Sequence, residues 1–346
     1  MPTIKDVAKL ARVSFKTVSR VINDVDNVNP ELSARVRAAI DELGYQPNLS
    51  ARQLRGRPTS IAFIYDNPNS HYIIELQKGI LAECRKRGYE LVIHPCDSRA
   101  SDILEELSQL VRRVNIGGLV LTPPLSEMRP VVESLLKNKL RFVRIISGCE
   151  PPDALSPCVF VDDRRAALEI TQHLIDNGHE RIAFLGGDPE HKSTGERLAG
   201  YHAALEDSGI RIDPALIVDG SYSFESGVER TRQLLELPQR PTAIFACNDE
   251  IAAGTLFAAR MYDVDVPGEL SIAGFEDSPF SRQTWPNVTT AHQSNEELGR
   301  VAASVLIDEI DRLRDKKNDA PSAPEAVGFS PELVIRDSTG PVNEGH

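Results

Sequence analysis

Between positions 14 and 23 the chain sets hydroxyls, an ammonium, a guanidinium, an amide and an aromatic ring close together: Ser14, Phe15, Lys16, Thr17, Ser19, Arg20 and Asn23. Such groups suit a polyanion that also has hydrogen-bonding edges, because cations neutralise phosphates and short polar side chains bind their oxygens. A second set lies far downstream, just after apolar runs: Asp66, Asn67, Asn69, Ser70 and Tyr72, then Thr122 and Pro123, Ser193 and Arg197, Tyr222, Asn248 and Asp249, Glu276 and Asp277. Carboxylates and amides for neighbouring hydroxyls, an arginine fork and flat aromatic faces for ring carbons are what a polyhydroxylated ligand requires.

These side chains need elements to hold them. Thr3 with Asp6 three residues on has capping-box spacing, so a first helix starts at Ile4, carries Val7, Leu10 and Ala11 as its apolar stripe, and ends near Ala11 or Arg12. Ser14 caps a second helix in which Val18, Val21 and Ile22 repeat that spacing, leaving Phe15, Lys16, Thr17, Ser19 and Arg20 directed away from a small core. Asn29-Pro30 opens a third, with Leu32, Val36, Ala39, Ile40 and Leu43 at helical spacing up to a stop at Gly44. The first 47 residues therefore read as an all-α helix-turn-helix head. Charge agrees: residues 1–60 hold ten Lys or Arg against six Asp or Glu, +4, on a chain of net charge −12, which leaves −16 on the rest. A basic head on an acidic body fits a duplex-binding domain, since non-specific affinity comes chiefly from counterion release.

Residues 48–57 make a short helical piece capped by Asn48 and stopped at Gly56, too short to be stable alone in water. From Ser60 the period changes. Short apolar runs at 61–65, 91–93, 118–121, 142–146 and 159–161, then 182–185, 243–246 and 270–273, alternate with helical segments. That pattern argues for parallel sheets covered on both faces, arranged as two α/β lobes of similar make. In open parallel sheets ligands sit beyond the carboxyl ends of the strands, which is where the second set of polar residues falls. Residues 316–328, rich in Asp, Ala, Pro and Ser, read as a surface loop.

Several functions are disfavoured. The Gly117-Gly118 and Gly186-Gly187 pairs make neither a dinucleotide nor a phosphate-binding loop, and neither a Gly-x-Ser-x-Gly elbow nor a His-Glu-x-x-His pair occurs, so the chain is not read as an enzyme. The five cysteines are odd in number and scattered, and the eight histidines show no ligand spacing, so reduced thiols, no metal and no cofactor are expected. No apolar run is long enough to span a membrane, and a capped helix at Thr3 stands where a signal peptide would need an apolar core; a cytoplasmic protein is expected.

The runs Ile4-Lys5-Asp6-Val7-Ala8, Ala11-Arg12-Val13-Ser14, Thr17-Val18-Ser19-Arg20-Val21-Ile22-Asn23 and Gly44-Tyr45-Gln46-Pro47-Asn48 resemble the lactose-repressor/galactose-repressor (LacI/GalR) family of bacterial transcription regulators. Asp162-Asp163, Gly178-His179, Arg197-Leu198-Ala199-Gly200-Tyr201, Asn248-Asp249, Gly274-Phe275-Glu276-Asp277 and the Leu333 to Thr339 run extend the resemblance over nearly the whole chain. It implies a periplasmic-binding-protein-like core of two doubly wound parallel-sheet lobes. The head then spans 1–47 and a hinge 48–59. The effector-binding and dimerisation domain spans 60–340, its first lobe 60–161 and 293–318 and its second 162–292 and 325–340.

The function implied is a sequence-specific regulator, most often a repressor of carbohydrate-utilisation genes released by a sugar or glycoside. The rivals are a corepressor-type regulator answering to a purine-like ligand or a phosphorylated partner protein, and a solute-binding module without DNA activity. The expected DNA contacts are Thr3, Ser14, Phe15, Lys16, Thr17, Ser19, Arg20, Asn23, Asn48, Ala51 and Leu54. Phe15, Lys16 and Arg20 would read base edges, Ser14, Thr17, Ser19 and Asn23 would mainly fix the helix on phosphates, and Leu54 would wedge into a base step. Phe15-Lys16 departs from the Tyr-Gln of the lactose repressor, which points to another operator. Arg197, Asn248 and Glu276 fall on the family's ligand positions, although Glu276 stands where aspartate is common; Asn69, Tyr72, Thr122, Ser193 and Tyr222 complete the expected set. The competing role for Arg197 is an ion pair with a carboxylate between the lobes. For Trp285, packing and ligand stacking are both open. Two heads on one operator require a homodimer and a near-palindromic double-stranded site. The lack of leucine heptads disfavours a coiled-coil tetramer.

Overall fold

The structure, a computed structural model, describes residues 2–22, 29–44, 60–66, 70–114, 116–150, 153–312 and 325–342. The chain divides into two compact units, 1–59 and 60–346.

The first unit holds α1 (Ile4–Leu10), α2 (Phe15–Ile22) and α3 (Pro30–Leu43). Its helices begin where the capping chemistry places them. Thr3 and Asp6 form the capping box, the Thr17 amide donates to Ser14 Oγ at 3.1 Å, and the Glu31 amide donates to Asn29 Oδ1 at 2.8 Å. Gly44 ends α3 in the left-handed region at φ 56°. The turn between α1 and α2 is made by Arg12 at φ 52°, and the Arg35 guanidinium donates to the Ala11 and Arg12 carbonyls, closing the end of α1 that has run out of backbone donors. Val7, Val18 and Val36 are fully buried at the centre, with Ala8, Ala11, Val21 and Ala39 around them. Leu10, expected on the apolar stripe, is instead 41% exposed. On so short a helix Val7, Ala8 and Ala11, with Ile4 partly buried beside them, make the contact with α2 and α3.

The second unit is α/β. Its first lobe contains β1 (Ser60–Tyr65), α4 (His71–Arg87), β2 (Glu90–Pro95), α5 (Ile103–Val114), β3 (Ile116–Leu121), α6 (Arg129–Lys137), β4 (Phe142–Ser147) and β5 (Cys158–Val161). The second contains α7 (Asp163–Asp176), β6 (Ile182–Leu185), α8 (Lys192–Asp207), β7 (Ile217–Val218), α9 (Phe224–Leu235), β8 (Ala243–Ala246), α10 (Asp249–Met261), β9 (Ser271–Ala273), α11 (Pro279–Gln283) and β10 (Thr290–His292). The chain then returns through α12 (Asn295–Arg312), β11 (Ala326–Phe329) and β12 (Glu332–Val334).

The larger sheet runs β11-β5-β4-β3-β1-β2 and the smaller β7-β6-β8-β9, all pairs parallel, while β10 and β12 pair antiparallel. Alternation along β1 explains the two-sided cover. Ile61, Phe63 and Tyr65 pack under α4 and α12, and Ala62 and Ile64 pack under α5 and α6. In the second lobe Phe184, Tyr201 and Phe245 centre the core, and the Tyr201 hydroxyl donates to the Ile182 carbonyl at 2.8 Å. Among the described residues no helix is long and apolar enough to cross a membrane.

Backbone approaches set the helix packing. A Cβ on Gly79 of α4 would lie 1.8 Å from the Glu296 carbonyl of α12, and one on Gly299 of α12 would lie 2.3 Å from the Leu76 carbonyl of α4. The helices thus cross through a reciprocal glycine contact, and Gly227 with Gly254 repeats the device between α9 and α10.

Two expectations are corrected. Residues 326–328, the end of the expected surface loop 316–328, belong with Phe329 to β11, whose Val327 and Phe329 pack on the first lobe's core. They pair with β5, so of the stretch 325–340 assigned to the second lobe only the part from β12 onward joins it through β10, and the chain crosses between lobes at Ser330 and Pro331. Helix α6 goes beyond what the sequence pattern predicts; its run of nine residues is short, and Pro130 stands in it at a first-turn position.

Candidate functional site

In the first unit α2 presents Phe15, Lys16 and Arg20 outward, Phe15 with 54% of its surface exposed although it is large and apolar. Thr17 and Ser19 are half-buried beside them, and the Ser14 and Thr17 hydroxyls lie 2.9 Å apart. A buried Val18 and Val21 on the opposite face fix the rotation of the helix. Thr3 is exposed but spends its side chain on the capping box of α1. Asn23, Asn48, Ala51, Leu54 and Asn69 lie outside the described residues.

In the second unit a cleft of about 420 Å³ opens where the strand ends of the two lobes face each other. Tyr72, Ser193, Arg197, Tyr222, Asn248 and Glu276 all line it, together with Asp66 and Ser70. Thr122 does not. It is fully buried and its hydroxyl donates to the Ile64 carbonyl at 3.2 Å, so it ties the ends of β3 and β1 together. Trp285 is 78% exposed, away from both a core and the cleft lining.

Arg197 sits at the centre, only 4% exposed. Its Nε donates to Asp163 Oδ1 at 2.8 Å, its Nη1 donates to the Cys247 carbonyl, and its guanidinium lies 3.7 Å over the Phe275 ring. The ion pair weighed as the alternative to ligand binding is therefore present, and the same arginine also faces the cleft. Burial works against its charge, but the neighbouring carboxylates, Asp163 first, raise its pKa. The carboxylate of Asp163 also accepts from the Ser147 hydroxyl, the Ser147 carbonyl accepts from Lys192 Nζ at 2.7 Å, and the Ser147 amide donates to Glu127 Oε1 at 2.8 Å. One polar chain thus runs from the first lobe to the second. At the mouth Arg99 of the first lobe donates to Asp188 and Glu190 of the second, at 3.0 Å each.

Tyr222 is seated by glycine. A Cβ on Gly187 would lie 2.1 Å from the Tyr222 ring, so Gly187 makes room for the aromatic wall. The Tyr222 hydroxyl lies 2.8 Å from that of Thr194 and 3.2 Å from that of Ser193. Asn248 accepts from the Ile251 amide with Oδ1 to cap α10, which leaves its amide nitrogen for a ligand. Asp163, Ser147, Gln293, Asp188, Glu190 and Arg99 also line the cleft, and none was in the expected set. Asp163 and Ser147 lie at the ends of β5 and β4, so the strand-end rule that selected Asp66 would have found them.

Seven carboxylates line the cleft (Asp66, Asp97, Asp163, Asp188, Glu190, Glu250 and Glu276) against two arginines, both already ion-paired. Burial pushes Glu276 up to about 8 against the pull of Arg197, and Asp249 and Glu127, also buried, to about 7 each. Their folded values lie above the ordinary 4.5, 3.8 and 4.5, so the folded unit holds more protons than the unfolded chain between those values and about 8. Stability then falls as pH rises through that window. Thermal unfolding of Glu276→Gln should show a shallower decline from about pH 5 to 8 than the parent; an unchanged slope would show that Glu276 ionises freely.

The residues 3–48 match the family model described as bacterial regulatory proteins, lacI family, and residues 171–339 match a periplasmic binding protein-like domain. The chain is 31% identical over 344 residues to the HTH-type transcriptional repressor PurR of Photobacterium profundum, covering 99% of this chain and 100% of that one. The solved complex of the transcriptional regulator CelR with cellobiose is similar at 28% identity and a TM-score of 0.71, covering 98% of this chain and 100% of that one. The lac repressor dimer bound to operator and an anti-inducer is similar at 25% identity and a TM-score of 0.73, covering 98% and 99%.

Proposed function

Because this chain belongs to the LacI family of bacterial regulatory proteins and is a DNA-binding transcriptional repressor, we propose that its cleft takes an uncharged sugar or glycoside and that occupancy releases the head from its operator. The observation that carries the reading is the lining of the cleft. Aromatic rings from Tyr72 and Tyr222 stand beside an arginine fork, an amide and several carboxylates, within a volume that suits a small ligand. Carboxylates accept from sugar hydroxyls, while Arg197 and the Asn248 amide donate. A phosphorylated ligand would bring more negative charge beside the six acidic side chains that line the cleft besides Glu276, which burial holds largely protonated near neutral pH, and the two arginines there are already ion-paired. The complex of CelR with cellobiose gives a precedent among similar proteins.

Thermal unfolding of the full chain against neutral mono- and disaccharides, their phosphate esters and free nucleobases tests this. Neutral sugars alone are expected to raise the midpoint; a response confined to nucleobases or phosphate esters would replace the reading.

Release from DNA requires that the ligand favour one lobe arrangement, and coupling of this kind is typically about 1–3 kcal/mol. Lys16 and Arg20, with Phe15, are assigned to base edges, and Ser14, Thr17 and Ser19 to phosphates. Two copies are required for a near-palindromic site. The exposed Phe257, Met261 and Tyr262 at the end of α10 are the surface we assign to the second copy, and the similar lac repressor is a dimer on its operator. Replacing Leu54 with alanine should weaken operator binding by about tenfold or more and non-specific binding little, because a wedge contributes only where the duplex kinks. Equal losses on both duplexes would count against it.

A further inference from the structure

We propose that the edge of the first lobe opposite the cleft is a further contact surface for duplex DNA, where exposed cations meet backbone phosphates of the operator. In a parallel sheet the starts of the strands share one edge with the ends of the helices that lead into them. Here β4, β3, β1 and β2 start side by side, over about 15 Å at ordinary strand spacing. From the last turns of α4, α5 and α6 to the strands that follow, the chain carries eight Lys or Arg against one acid, Glu90. This basic edge belongs to a body that is strongly acidic in total.

Helix ends alone do not account for it. Cations near a helix C-terminus offset its dipole, and the second lobe has the same need. Yet the corresponding stretches, from the last turns of α7, α8, α9 and α10 to their next strands, hold five Lys or Arg against nine Asp or Glu. Internal pairing does not use the edge up either. Arg87 donates to Asp308 and Asp311 of α12 at 2.8 and 3.2 Å, Lys86 pairs with Glu83, and Glu309 lies in the field of Arg312 and Arg141. The acids of α12 are thus already countered. Arg85, Arg112, Lys137 and Lys139 are exposed, and none of them makes an ion pair among the described residues. The chain enters this edge at Ser60, directly after residues 48–59. Four open cations in each copy fit a polyanion, and the polyanion that a regulator of this family holds is a duplex. Phosphates carry no base identity, so the surface adds affinity without reading sequence.

The test is fluorescence anisotropy of the full chain on a two-fold-symmetric duplex selected from a random pool, extended by about 10 base pairs at each end and titrated over a range of salt. The variant is Arg85→Gln/Arg112→Gln/Lys137→Gln/Lys139→Asn, asparagine being a residue that tolerates the left-handed φ of 54° at that position. The control, Arg211→Gln/Arg240→Gln, removes exposed cations from the corresponding edge of the second lobe. Each phosphate contact contributes about 0.9 to the slope of log affinity against log salt. The variant's slope should therefore be shallower by about 2 or more and its affinity at about 0.1 M salt lower by about tenfold or more, with the control within about twofold of the parent. Sedimentation should give all three proteins the same mass. A changed mass in the variant would make the edge an interface between copies and overturn the proposal. An unchanged slope and affinity, or a loss per cation as large in the control, would overturn it too. A parent that binds no duplex would overturn the DNA-binding reading on which this surface rests, and the surface with it.

Discussion

Arg197→Ala is expected to remove the response to effector, lowering effector affinity by about 100-fold, while operator binding in the absence of effector stays within about twofold. The size follows from position. Arg197 offers the cleft a delocalised cation pre-set by Asp163, the Cys247 carbonyl and the Phe275 ring, so its donors are in place before a ligand arrives. Alanine removes those donors and also leaves Asp163 buried with its countercharge gone, which destabilises by about 3–5 kcal/mol. The two effects separate in Arg197→Met/Asp163→Asn, which removes both charges: stability should largely return and effector affinity should not. Calorimetric titration with the sugar found by thermal screening, alongside denaturant unfolding, reads both. An unchanged effector affinity in Arg197→Ala would take this residue out of the site and leave only its role as the partner of Asp163.

Gly299→Ala should destabilise the body by about 3 kcal/mol, lowering its unfolding midpoint by roughly 5–10 °C. Helix propensity alone predicts the opposite sign, a gain of about 1 kcal/mol. The close approach decides: a methyl group 2.3 Å from the Leu76 carbonyl must push α4 and α12 apart, and a backbone atom cannot step aside as a flexible side chain can. Gly195 provides the matched control. It lies inside α8, and a methyl group added there would meet nothing within 4 Å, so Gly195→Ala should be neutral or stabilising. Two substitutions of the same kind with opposite signs would be hard to obtain from anything but the helix crossing, and a neutral Gly299→Ala would mean that α4 and α12 can move apart freely.

Much of this architecture is legible in the sequence because it rests on local chemistry. Ser14, Asn29 and Gly44 fix helix ends through short-range hydrogen bonds and one backbone conformation, and the alternation of strands with helices exposes the parallel sheets. What stayed hidden depends on pairing between distant segments. Residues 326–329 look like loop because their neighbours are rich in Pro and Asp, and become strand only through β5, over 160 residues earlier in the chain. Thr122 follows a strand, as site residues do, yet its hydroxyl turns back to Ile64. Asp163 follows the strand run 159–161 closely enough for the strand-end rule to reach it, but only the fold brings it to Arg197. The packing role of Gly79 and Gly299 shows only in the helix crossing, where backbone from distant segments meets.

The central claim is that a DNA-reading head answers to a ligand held in the cleft of the same chain. Fluorescence anisotropy of the full chain on a two-fold-symmetric duplex selected from a random pool, against a scrambled duplex of equal composition at fixed salt, tests it most directly. The account predicts a preference of about 10³-fold or more that shrinks by about 5- to 150-fold when the stabilising sugar is added. Equal affinity for the two duplexes, or a preference that the sugar leaves untouched, would contradict it.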